Sequence, residues 1–403
     1  MHGVKSARKL KYKPINVKDA IAEIKDTAEL MLDLAYSSIL FKERDFSEEV
    51  IELEDRMDEL IFMARASIML AARGIEEIEE LTGVLQVIDS AVMISSAAVD
   101  LAKIQLDNLG LPPAFLKSIH LLEETIVSTI IPQGSKANGI TVKELEDETS
   151  MNIIAIKKPK GEWIINPNDD VKVYANDKII AKGPYQALEE FNVFIIGKHE
   201  EFPSLDELEE PKILHMIREI IIEMTVLSQL SIDLAYYSVL FNSKEIAEEV
   251  SSIEDKLEDL RADLELNVLN YAKQVENVNE LRGLLRIAYS SEKVSDASKD
   301  IADIVLHGIA MHPILQYAVK ESDEIITRIV IVKGSELDGK TYAESGIEVS
   351  TGMDIIAIKK SSTNKWQFHP KGDIKLEAND IIIAKGSVED EDILKRLAGV
   401  YNE

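Results

Sequence analysis

Cysteine is absent from the 403 residues. Disulfides, thiolate metal sites, iron–sulfur clusters and cysteine nucleophiles are therefore excluded, and the absence fits an intracellular protein. Positive charge is scarce: 45 Lys and Arg against 73 Asp and Glu leave a formal charge of −28. That balance disfavours a nucleic-acid backbone or an anionic membrane surface as partner, because like charges repel. Long apolar runs are also missing. The most apolar helical stretch, Val84–Val99, is interrupted by Gln86, Asp89 and several serines, so no bilayer span is expected. No G-x-G occurs, which removes the dinucleotide fingerprint and the P-loop, and no NAD or ATP site is expected. The seven histidines are scattered away from any nucleophile, so no enzyme is expected. The beginning, MHGVKSARKLKYKP, is basic but lacks an apolar core; residues 1–13 read as a disordered leader rather than a secretory signal.

What is present is present twice. LAYSSILF at Leu34–Phe41 returns as LAYYSVLF at Leu234–Phe241, and Glu54-Asp55, Gly83, Pro113 and Gly134 return shifted by 200. MNIIAIKK at Met151–Lys158 returns shifted by 202, and NDKIIAKG at Asn176–Gly183 shifted by 203. Insertions thus fall only in the last third of each copy. A repeat of this length is a duplicated fold, not a solenoid unit. Fused copies are expected to pair about a pseudo-two-fold axis, as two identical subunits would.

Each copy begins helically. Val17, Ile21, Ile24, Ala28, Met31 and Ala35 follow a 3-4 spacing. So do Val50, Leu53, Met57, Leu60, Ala64, Ser67 and Ala71, and then Leu81, Val84, Ile88, Val92, Ser95, Val99, Ala102 and Leu106. That spacing puts one apolar seam on each of three helices. Asp45 and Ser47, Gly74, and Gly110 to Pro113 supply the turns. After Glu123 the pattern becomes short isoleucine-rich runs. Thr125–Ile131, Asn152–Lys157, Glu162–Ile165 and Lys178–Ala181 read as strands. Thr141–Leu145 and Tyr185–Phe191 read as short helices. The expected fold class is α+β, with two three-helix bundles alternating with two small β-α-β-β-β-α modules. The expected boundaries are bundle 14–123, module 124–197, acidic linker 198–211, bundle 212–323 and module 324–403.

The phrases TIVSTII, GSKANGITVKEL, MNIIAIKK and ANDKIIAKG, with GSELDGKTYAES, MDIIAIKK, HPKGD and ANDIIIAKG in the second copy, resemble the TrkA C-terminal domain, the ligand-binding domain of regulators of potassium conductance. Gly339-Lys340-Thr341 fits the family's turn, whereas Gly139-Ile140-Thr141 lacks the basic residue. The helical part, through SSEKVSDASKDIADI at Ser290–Ile304, resembles half of a PhoU-type phosphate-uptake regulator. The order of parts resembles PhoU–TrkA-C fusions associated with cation transport. The resemblance implies a cytoplasmic, non-enzymatic regulatory subunit of potassium or other cation transport, peripheral at the membrane through a channel or transporter. It implies modules paired as an intramolecular pseudo-dimer that sense a small ligand or ion. The alternative is a PhoU-like metal-binding regulator of phosphate uptake.

Candidate site residues follow. Glu292, Asp296 and Asp300 lie at i, i+4, i+8 on one helix face, and carboxylates there suit a hard divalent cation. The PhoU resemblance carries ligand roles to Glu292 and Asp296. The first copy departs from it, with Val92 and Ser96 there and only Asp100 retained. Lys157, Lys158, Lys359 and Lys360 stand at equivalent strand ends and are candidates for an anionic or nucleotide ligand, against the ordinary reading of exposed lysine charge. Glu54, Asp55, Asp58, Glu254, Asp255 and Glu258 read as helix surface charge. Gly134-Ser135 and Gly334-Ser335 read as turns, and Trp163 and Trp366 as packing residues.

Overall fold

The computed structural model describes residues 11–40, 44–72, 74–109, 111, 124–165, 167–184, 187–197, 212–275, 277–320, 325–363, 365–368, 370, 372–386 and 388–400. Residues 1–10 of the expected leader, the acidic linker 198–211 and the Pro112-Pro113 turn lie outside them. The chain divides into two compact units, Met1–Ala318 and Val319–Glu403.

In the first unit α1 (Val17–Leu40), α2 (Arg44–Ala71) and α3 (Ile75–Leu106) form one bundle. The expected seams are its core: Ile21, Ile24, Ala28, Met31, Val50, Leu53, Met57 and Ala64 are all buried. The second bundle repeats this with α6 (Lys212–Phe241), α7 (Lys244–Tyr271) and α8 (Arg282–Leu306), the last entered through a 3-10 turn at Val278–Leu281. A further helix, α9 (Pro313–Lys320), was not anticipated from the sequence.

α3 departs from the single-seam expectation. Beyond the seam, Ala91, Ile94, Ala97, Ala98, Leu101 and Ile104 are also buried. The reason is that α3 packs on its own bundle and also on α8 of the other. A Cβ on Gly83 would lie 3.5 Å from Ile304, and Asp100 pairs with Arg286, so the start of α3 meets the end of α8, its end meets the start of α8, and the two helices run antiparallel. That arrangement is what a two-fold relation between bundles requires. α3 residues Glu77–Leu106 are long and apolar enough to cross a membrane, but most of that stretch is buried inside the protein.

The first module contains β1 (Glu124–Ile130), α4 (Val142–Thr149), β2 (Asn152–Lys157), β3 (Trp163–Ile165), β4 (Lys178–Pro184) and α5 (Leu188–Ile196). Its sheet order is β1-β4-β2-β3, antiparallel throughout. The second unit repeats it with β5 (Ile325–Val330), α10 (Tyr342–Ser345), α11 (Ile347–Thr351), β6 (Asp354–Lys360), β7 (Lys365–Phe368), β8 (Ile381–Gly386) and α12 (Val388–Leu397), in the order β5-β8-β6-β7. In both, Thr141 and Thr341 close capping boxes with Glu144 and Glu344, which starts the helix at the same place. Two of the three extra residues of the second copy fall where one helix becomes two, at Gly346 with φ of +58°, and the third falls between Lys360 and Asn379. α5 runs past the expected end at Phe191 to Gly197, whose φ of +72° ends it. Isoleucines from the strands, with Leu145 and Phe191 from the helices, fill the first module's core.

Candidate functional site

The four strand-end lysines are all engaged within the protein. Lys158 Nζ donates to Asp177 Oδ2 at 2.7 Å, and that same oxygen accepts from the Tyr174 backbone N–H at 2.9 Å. Asp177 is buried. Lys360 repeats the pattern with Asp380, which also accepts from the Ser361 and Glu377 N–H groups at 2.7 and 2.9 Å. These pairs brace the Asn-Asp turn that precedes β4 and β8, so the Lys-Lys and Asn-Asp motifs of each copy belong to one structural device. Lys157 instead reaches the first bundle: its Nζ lies 2.6 Å from Glu49 Oε2 and 2.8 Å from Glu52 Oε2. Lys178 adds a bond of 3.0 Å to Glu49 Oε1. Burial opposes charge on Lys157, but the hydrogen bonds and charges of Glu49 and Glu52 outweigh it and raise its pKa. Lys359 is buried, with its Nζ 5.6 Å from the Trp366 ring centre, and Lys157 lies 5.1 Å from that of Trp163. Both tryptophans therefore carry an ammonium over the ring face.

Two residues of this module-to-bundle latch are not repeated along the chain. At the positions equivalent to Glu52 and Lys178 the second copy has Ser252 and Ile381. Comparing the copies position by position was the signal that could have found it. The Gly134 and Gly334 turns stay turns: Ser135 N–H donates to Pro132 O at 3.0 Å, and the Gly334 N–H is taken by Asp338 Oδ2 at 2.8 Å.

The carboxylate row on α8 does not assemble a ligand set. Glu292 pairs with Arg261 Nε on α7 at 2.8 Å, while Asp296 faces Glu254 and Glu258 and Asp300 faces Asp303 electrostatically. Burial raises all three pKa values. Asp296 is pushed further by Glu254 and Asp300, against the opposing pull of Lys299. Among the described residues no three His, Asp or Glu side chains come together in a way that could hold a metal ion. The residues present therefore do not fit the metal site expected from the sequence. A helix rise of about 1.5 Å per residue spreads i, i+4, i+8 carboxylates over roughly 12 Å, so one helix face alone cannot converge on a single ion.

The contact between bundles carries the clearest asymmetry. Tyr36 on α1 is buried and hydrogen-bonds Ser228 Oγ and Ser291 Oγ of the other copy, each at 2.9 Å. Its equivalent, Tyr236, is equally buried, but its hydroxyl has no hydrogen-bond partner among the described residues. The 200-residue offset places Ala28 and Ala91 where Ser228 and Ser291 stand, so the mirrored bonds have no acceptor. Gln229 Nε2 donates to Asp33 at 2.7 Å. Asp100 on α3 holds Arg286 at 3.2 Å and Lys293 at 3.6 Å.

Comparison with known proteins agrees with this architecture. The TrkA-C domain matches residues 126–196 and 326–399, and the PhoU domain matches 21–105 and 221–305. Both are regulatory families. Potassium channel protein 1 of Methanocaldococcus jannaschii is 38% identical over 78 residues, which are 19% of this chain and 23% of that protein. The matched stretch is thus about a quarter of that relative's length. Among solved structures, PhoU from Pseudomonas aeruginosa overlays with a TM-score of 0.40 at 9% identity, covering 72% of this chain and 94% of that one. The GsuK RCK domain overlays at 0.19 and 12% identity, covering 70% and 64%. The overlays are too loose to carry weight; the domain matches span most of the chain, in the order found in the fold. The chain belongs to the PhoU and TrkA-C domain families, as two PhoU domains each followed by a TrkA-C domain.

Proposed function

We propose that this chain is a non-enzymatic regulatory subunit of potassium or other cation transport, acting from the cytoplasm on a membrane channel or transporter. The observation that carries the reading is the pair of TrkA-C domains, together with the 38% identity to a potassium channel protein over 78 residues. In this account a small ligand or ion alters a TrkA-C module, and the bundles relay the change to the transporter. The latch of Lys157 and Lys178 on Glu49 supports such a relay for the first module, because it ties β2 and β4 to α2. Regulation of this kind requires that the ligand bind two arrangements with different affinity. The phosphate-uptake alternative draws on the PhoU matches, while among the described residues the α8 carboxylates do not gather into a ligand set. Disrupting the gene separates the two. The transport reading predicts a growth defect or altered ion content when potassium is limiting, rescued by the intact gene. A defect confined to phosphate limitation would overturn it.

A further inference from the structure

With the four lysines spoken for, a face of α8 in the first unit brings cations together beside open space. Arg282, Leu285, Arg286 and Tyr289 line an open depression of about 500 Å³ on α8. Their i, i+3, i+4, i+7 spacing puts all four on one helix face. Tyr289 is 57% exposed and Leu285 36% exposed, which puts apolar surface beside two guanidinium groups. These lining residues carry two positive charges and no negative one, in a chain whose net charge is −28. The feature is not inherited from the fold. The equivalent α3 positions are Thr82, Leu85, Gln86 and Asp89, with no cation and no aromatic ring. Arg282 is exposed and makes no ion pair among the described residues. Arg286 shares Asp100 with Lys293, so Asp100 keeps a cation if Arg286 turns to another anion.

We propose that this depression binds a small ligand of the nucleoside di- or triphosphate class. Guanidinium forks match phosphate oxygens with paired hydrogen bonds. An exposed tyrosine face accepts a nucleobase by stacking, and Leu285 adds apolar surface one turn away. The depression is shallow and open, so a ligand would lie along the α8 face rather than inside a cleft. A phosphate drawn to Arg286 competes with Asp100 of α3, so occupancy bears on the contact between the two copies. This names a ligand class for the sensing reading above and takes its biological meaning from it, but the binding itself is measured without any transporter.

The test is equilibrium dialysis or calorimetry of the full chain with ADP, inorganic pyrophosphate and adenosine in low-salt buffer. ADP is expected to saturate at one site per chain, with pyrophosphate weaker and adenosine weakest. Arg282→Gln is expected to weaken ADP and pyrophosphate about tenfold, as for one lost charge-assisted hydrogen bond. Tyr289→Ala is expected to weaken ADP about tenfold and leave pyrophosphate unchanged. Both residues are exposed, so these variants keep the fold; Arg286→Gln also disturbs the Asp100 contact and is secondary. Failure of ADP to saturate at millimolar concentration, or unchanged affinity in Arg282→Gln, would overturn the site. Pyrophosphate binding as tightly as ADP would overturn the nucleotide class. A null binding result beside an intact transport effect sinks only this site, and the reverse sinks only the transport reading.

Discussion

Removing one hydroxyl from each of two equivalent tyrosines should have opposite effects. Tyr36→Phe deletes two buried hydrogen bonds of 2.9 Å, to Ser228 and Ser291. Ser228 still donates to Thr225 O at 2.9 Å, whereas Ser291 keeps no other hydrogen bond among the described residues. At about 0.5–1.5 kcal/mol per bond, plus the cost of an orphaned hydroxyl, the loss should be about 2 kcal/mol. Tyr236→Phe instead removes a hydroxyl that is buried without a partner among the described residues. Relief of that desolvation should leave stability unchanged or raise it by about 1 kcal/mol. Burial drives the pKa of both phenols up. For Tyr36 the two serine bonds offset part of this; for Tyr236 the charges of Glu29 and Asp26 add to it. The assay is thermal and urea unfolding followed by far-UV circular dichroism. One kcal/mol corresponds to roughly 2–4 °C in a domain of 150–250 residues and less in a larger unit. Ala91→Ser should restore an acceptor near Tyr236, with a gain that vanishes in the Tyr236→Phe background. Equal destabilisation by both Phe variants would refute the reasoning, because it would mean that Tyr236 is satisfied or that Tyr36 is not.

The latch predicts a second contrast: Glu49→Gln, read by unfolding midpoint, should cost about 1–3 kcal/mol because Lys178 and Lys157 both lose a charged partner. Its equivalent Glu249 has a pKa raised by burial and by Glu248, so Glu249→Gln should be neutral or stabilising, and equal losses would contradict the asymmetry. Asp296 gives a pH test. Its folded pKa is raised above the ordinary 3.8, so the folded state binds more protons between the two values and stability falls as pH rises through that window. Asp296→Asn should therefore be the more stable protein at neutral pH, with the gap closing below about pH 4; a variant less stable at neutral pH would contradict this. Proteolytic cutting of the acidic linker near Pro211 should leave two halves that co-elute on size exclusion, because α3 and α8 bury one another. Halves eluting separately would contradict the bundle pairing.

Periodicity made the bundles and strands legible in the sequence, because a period of 3.6 or 2 records which side is buried. The α2 seam from Val50 to Ala64 lies in the core as spaced. Periodicity speaks of one partner at a time, and α3 has two; its second buried face is set by α8, which no local pattern announces. The partners of the candidate site residues were hidden for a related reason. Lysines at strand ends and carboxylates along a helix look exposed in one dimension, while their partners lie far off in sequence: Glu49 is 108 residues from Lys157. Arg282, Arg286 and Tyr289 were within reach of a copy-to-copy comparison, since Thr82, Gln86 and Asp89 mark them as departures from the repeat. What no sequence pattern gave was the open space beside them.

The central claim, that this PhoU–TrkA-C chain regulates cation transport, is tested most directly by flux. Rubidium uptake would be followed in inside-out membrane vesicles from cells lacking the gene, with purified protein added to the exposed cytoplasmic face. The account predicts a saturable change in flux on addition of the full chain, reduced by Glu49→Gln, which loosens the first module from its bundle. Flux unchanged at every concentration, with phosphate uptake altered in the same vesicles, would contradict it.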